Sequence, residues 1–152
     1  MCLSIKVKRP NDVLAEGEHL GFEWAVVHNG NGYRCGYVRL HAGHPWHGAD
    51  NDASIVADVE VHGGLTFAEA DKPCHKPGPD DGWWLGFDCA HTWDLPDPSL
   101  PQNGYMDPFS SMFTELYSSL EESAEGQPLH KVRSQEYVEE QCRSLCEQAA
   151  AA

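Results

Sequence analysis

The stretch Phe22-Glu23-Trp24-Ala25-Val26-Val27-His28 constrains the fold more than any other, because Phe22, Trp24 and Val26 fall on one side at the two-residue period of a strand. A second run, Gly36-Tyr37-Val38-Arg39-Leu40, follows across Asn29-Gly30-Asn31-Gly32. Gly and Asn tolerate the positive φ that tight hairpin turns require, so the two runs predict a β-hairpin.

Further along, Gly43, Gly48 and Pro45 break both periodicities and predict a loop over 41–48. Residues 54–62 alternate Ile55, Ala57, Val59 and Val61 against Val56, Asp58, Glu60 and His62, which predicts a strand presenting Asp58, Glu60 and His62 on one face. Residues 83–91 alternate again, with Trp83, Leu85, Phe87, Cys89 and His91 on one side and Trp84, Gly86 and Asp88 on the other. A loop rich in Pro, Gly and Asp over 72–82 separates these two strands.

Three prolines at 96, 98 and 101 bar regular structure after Asp94. Asp107-Pro108 is a helix start, followed by an apolar stripe of Phe109, Met112, Phe113, Leu116 and Leu120 that Gly126 and Pro128 end. Ser134 can cap a second helix bearing Val138, Cys142, Leu145, Cys146 and Ala149 on one face. The expected class is α+β, a mainly antiparallel sheet with two C-terminal helices packed on it. A chain of 152 residues suits one domain. Its sheet-forming region would cover 5–94, a Pro-rich linker 95–106, and a helical region 107–150.

With 24 acidic and 10 basic residues the formal charge is −14, and no Lys/Arg cluster is dense enough to track a phosphate backbone. Direct nucleic-acid binding is therefore not expected. An amino terminus without a secretory apolar run, and no stretch of about eighteen apolar residues, predict a cytoplasmic chain with no membrane partner. Six cysteines without regular spacing read as reduced core thiols.

The functional signal is a concentration of titratable groups. Six of the nine histidines lie between His41 and His91, together with Asp58, Glu60, Asp88, Cys89 and Asp94. Histidine can carry a proton or a metal near neutral pH, and a neighbouring carboxylate fixes its tautomer. His62-Gly63-Gly64-Leu65-Thr66 follows the expected strand with two glycines whose backbone N–H groups can approach an anion, making Gly63, Gly64 and Thr66 ligand-binding candidates. Asp88-Cys89-Ala90-His91-Thr92-Trp93-Asp94 brings a thiol, an imidazole and two carboxylates together, so His62, Asp88, Cys89, His91 and Asp94 are the catalytic candidates. Cys89 would be a nucleophile if an imidazole lowered its pKa, although it shares its face with Leu85 and Phe87 as an inert core thiol would. Alternatively, His62, Asp88, His91 and Asp94 would converge on a divalent transition metal. His41, His44 and His47 recur at regular intervals, but Gly43 and Pro45 forbid the helix that would align them. His44 and Trp46 are instead expected as a rim over a pocket, with Trp84 as a further lining residue.

Cys35-Gly36-Tyr37-Val38, His44-Pro45, Val61-His62-Gly63-Gly64-Leu65-Thr66 and Trp83-Trp84-Leu85-Gly86-Phe87-Asp88-Cys89-Ala90-His91 with Asp94, and Tyr137-Val138 with Cys142 and Leu145, resemble an uncharacterised family of small proteins encoded by bacteriophages and their bacterial hosts. The resemblance covers most of the chain and implies a location in the host cytoplasm, but brings no activity with it. Thr92-Trp93 stands where that pattern implies two smaller residues, which bears on how open the site is. The functional expectation is a small hydrolase-like enzyme in which His62 or His91 is base or ligand, acting on a nucleotide or other anionic small molecule. The alternative is a non-catalytic counter-defence protein that sequesters a small ligand or binds a host protein, with Trp46, Trp84 and Trp93 as stacking surface.

Overall fold

A computed structural model describes residues 13–71, 81–100 and 130–152. Its centre is the expected hairpin. Strand β2 (Phe22–His28) pairs antiparallel with β3 (Arg34–Leu40), two residues longer at its start than the alternation suggests. Residues 29–33 join them, with positive φ at Gly30 and Gly32, and the Asn29 side-chain oxygen accepting from the amides of Asn31 and Tyr33. Before it comes β1 (Val13–His19), not singled out in the sequence, joined to β2 by Leu20 and Gly21. Both of those residues have positive φ, the geometry that a two-residue hairpin turn demands.

Strands β4 (Phe67–Ala70) and β5 (Trp83–Asp88) complete an antiparallel five-stranded sheet of order β1-β2-β3-β5-β4. The strand expected over 83–91 stops at Asp88 and His91 falls in the turn that follows, but the alternation holds through Cys89. Leu85, Phe87 and Cys89 enter one core cluster with Phe22, Trp24, Val26, Val38 and Leu40, whereas Trp84 joins Ala25, Val27, Cys35 and Tyr37 on the other face.

The expected strand over 54–62 is overturned. Ser54–Val56 is a single 3-10 turn inside a run of such turns, and the strand beside β5 is β4, which begins only after the Gly63-Gly64 turn. Alternation misled here because the backbone bonds close local turns up to Val59 and those of Glu60 and His62 go to side chains. Glu60 N–H donates to Gln148 Oε1, Gln148 Nε2 donates to the Glu60 carbonyl, and His62 N–H donates to Gln141 Oε1.

Those glutamines lie on α1 (Gln135–Ala151), which starts at the expected cap, the Ser134 hydroxyl accepting from Tyr137 N–H. Val138, Cys142, Leu145, Cys146 and Ala149 are buried against β2 and β3, as their spacing requires. The other expected helix, after Asp107, and all but the last two residues of the loop over 72–82 lie outside the described residues. Leu95 departs from the irregular structure expected for it. With Asp94 it forms a two-residue strand, β6 (Asp94–Leu95), parallel to β7 (Lys131–Val132). The described cysteines Cys35, Cys89, Cys142 and Cys146 are free and buried. Among the described residues no helix is long and apolar enough to cross a membrane.

Helix and sheet approach closely at Gly36, where an added Cβ would come within 2.3 Å of Phe87 and 2.7 Å of Cys142 Sγ. Gly36→Ala should therefore lower stability by about 1–3 kcal/mol through overpacking. Urea unfolding with an unchanged m-value would show it.

Candidate functional site

The turn after β5 places the central group. Asp94 N–H closes a turn on the His91 carbonyl, and Asp94 Oδ2 accepts in return from His91 N–H. The Asp94 side chain is wholly buried, so its charge must be met by donors held in place. Arg133 Nε donates to Oδ1 at 2.8 Å, while His62 Nε2 and His91 Nδ1 approach Oδ2 at 2.9 and 3.0 Å. Burial by itself raises the Asp94 pKa. The hydrogen bonds from Arg133, His62 and His91 outweigh it and hold the carboxyl below its ordinary 3.8.

The two imidazoles differ in what remains to them. His62 Nδ1 lies 3.0 Å from the Tyr137 hydroxyl, so both its ring nitrogens are occupied. Burial raises the Tyr137 pKa, against the pull of the nearby Arg133 charge, and the phenol keeps its proton at neutral pH. In the neutral His62 ring, Nδ1 thus accepts from Tyr137 and Nε2–H donates to Asp94. His91 commits only Nδ1 to Asp94, and its side chain is 20% exposed. Its ring stacks on Trp93 at 4.8 Å and 4° and meets the His62 ring edge-on at 5.3 Å.

Of the expected residues, His62, His91 and Asp94 come together, and one ligand atom from each lies within 4.8 Å of the other two. Asp88 does not join them. It sits on the opposite face of β5 from Cys89, and its Oδ1 accepts from Ala90 N–H. Cys89 is no nucleophile in this setting. It is buried in the core, and that burial, reinforced by the Asp94 charge, drives the thiol pKa far above its ordinary value.

The two glycines make room instead of cradling an anion. The His91 ring occupies the place a Gly63 Cβ would take, 2.1 Å from Cε1, and Gly64 N–H is spent on the Val61 carbonyl. Thr66 N–H pairs with the Gly86 carbonyl and leads into β4. His44 and Trp46 form no rim. Both are buried, His44 Nε2 meeting the Ala149 carbonyl at the end of α1 while Nδ1 accepts from Trp46 N–H. Trp84 lies in the second core cluster with its indole N–H on Asp71. Of the tryptophans expected as stacking surface, only Trp93 is exposed, at 46%.

Arg133 and Tyr137 were not among the expected site residues. A signal for Tyr137 existed, since Tyr137, Gln141, Ser144 and Gln148 repeat at helical spacing from the Ser134 cap and form a polar stripe beside the apolar one. With Asp58, Glu60 and His62 they line an open depression of about 760 Å³. Asp58, Glu60 and Glu147 on its walls oppose an anion and suit a neutral or cationic group. Comparison with family models, with curated proteins and with solved structures returns no match for the chain.

Because the folded Asp94 pKa is depressed, its contribution to stability is present above the ordinary value and lost as pH falls through the folded one. Urea midpoints should therefore drop as pH is lowered below the ordinary carboxylate value in the wild type. Asp94→Asn should be less stable at neutral pH and show a flatter acid limb; an equally steep limb would mean that other carboxylates govern acid unfolding.

Proposed function

We propose that His62 Nε2, His91 Nδ1 and Asp94 Oδ2 hold one divalent transition-metal ion, and that the chain is a small metal-dependent hydrolase. The observation that carries this reading is the convergence of three ligand atoms from two stretches of chain, His62 from one and His91 with Asp94 from the other. Two of the three ligands also have an outer partner, Tyr137 on His62 Nδ1 and Arg133 on Asp94 Oδ1. Metal-binding imidazoles and carboxylates are commonly oriented by such contacts.

Two histidines and one carboxylate suit Zn²⁺ and its neighbours and leave coordination positions for water. An ion so held lowers the pKa of bound water to about 7, which makes hydroxide available at neutral pH. Such an ion would supply hydroxide from water, the water's other proton passing to solvent, for addition to an electrophilic carbon or phosphorus, with a proton from solvent going to the leaving group as its bond breaks. Hydrolysis is preferred to iron-type oxidation because it needs no co-reactant beyond water.

The test is metal titration of chelator-treated protein with Zn²⁺ and Co²⁺, followed by turnover of neutral and cationic activated esters and of phosphotriesters. One equivalent should bind, and His62→Ala, His91→Ala or Asp94→Ala should each weaken binding by about 100-fold or more, with Tyr137→Phe costing about tenfold. Cys89→Ala should leave both affinity and turnover unchanged. Failure to take up a stoichiometric ion, or uptake that survives loss of His62 and Asp94, removes the centre. Stoichiometric uptake with no turnover of any substrate class would leave a metal site and sink the hydrolase.

A further inference from the structure

Arg34, the first residue of β3, is buried, and its guanidinium grips two segments at once. Nη1 donates to the Arg133 carbonyl at 2.9 Å, and Nη2 pairs with Asp97 Oδ2 at 2.7 Å. Arg133 supplies the side chain that holds Asp94 Oδ1, and Asp97 lies three residues beyond Asp94. The same segments also meet through the Arg133–Asp94 bond, the two-residue β6–β7 pair and Lys131 N–H on the Trp93 carbonyl.

The arrangement is poorly suited to stabilising the fold. Arg34 Nε is buried with no hydrogen-bond partner, and an unmet buried donor costs free energy. A buried ion pair also returns little beyond the desolvation of its charges. What a planar guanidinium supplies is geometry, because its rigid fork fixes the separation of two acceptors as a flexible ammonium cannot.

We infer that Arg34 is a positioning residue of the His62–His91–Asp94 centre, acting through Arg133 and Asp97 to set where the Asp94 carboxylate stands; this rests on the metal reading above. The experiment is Co²⁺ titration of the full chain, followed by the visible absorption bands of the bound ion. The variants are Arg34→Lys and Asp97→Asn. Arg39→Lys is the matched control, since Arg39 makes a comparable buried pair with Asp71 away from the centre.

Arg34→Lys and Asp97→Asn should each weaken Co²⁺ affinity by about tenfold and alter the band pattern, as loss of an outer contact does. Arg39→Lys should bind Co²⁺ like the wild type, even where its thermal stability falls as far. If Arg34→Lys does not fold, Asp97→Asn decides by itself. Wild-type affinity and bands in folded clamp variants would overturn the inference while leaving the metal centre intact, as would equal weakening by Arg39→Lys. A wild-type chain that takes up no Co²⁺ would overturn both.

Discussion

The carboxylate of Asp94 is a buried anion, and the geometry around it follows from the need to compensate that charge. Left unpaired it would cost several kcal/mol, so donors must be in place before the chain can close over it. They come from far apart in sequence, His62 from the irregular crossing between β3 and β4, His91 from the turn after β5, and Arg133 from the approach to α1. One oxygen pair thus ties three chain segments to one point. The requirement extends outward as well, because His91 can reach Asp94 only where residue 63 has no side chain.

Helix α1 connects this centre to the core. Its apolar stripe seals one face of the sheet, and its polar stripe, offset by one position, supplies Tyr137, Gln141 and Gln148 to the segment that carries Glu60 and His62. Core packing and site assembly therefore share one register. The Ser134 cap sets that register at the start of the helix, and the burial of Val138, Cys142 and Leu145 fixes its rotation.

Period was enough to read β2, β3, β5 and α1, because each buries a regular set of side chains. It was not enough for residues 54–62, where Asp58, Glu60 and His62 do line one depression but Val61 lines it with them, and the backbone partner is a row of glutamines rather than a strand. β1 and β4 escaped notice because neither carries a strong buried face. At the site, His62, His91 and Asp94 were legible as residue types. Parity along β5 separates Asp88 from Cys89, and depth in the core disqualifies Cys89. Arg133 could not be foreseen, since its partner is fixed only by the tertiary fold.

A purely structural carboxylate would be a simpler object than the one found here. A carboxylate oxygen has about two lone-pair sites, yet Asp94 Oδ2 lies within hydrogen-bond distance of three nitrogens, two of them imidazole. Three protons directed at one oxygen crowd each other. A divalent ion held as proposed among the nitrogens and the oxygen would relieve that crowding, each imidazole moving its proton to its other ring nitrogen, so that His62 Nδ1–H would donate to the Tyr137 oxygen. Arg133 takes Oδ1, which leaves Oδ2 to the His91 N–H and the two imidazoles.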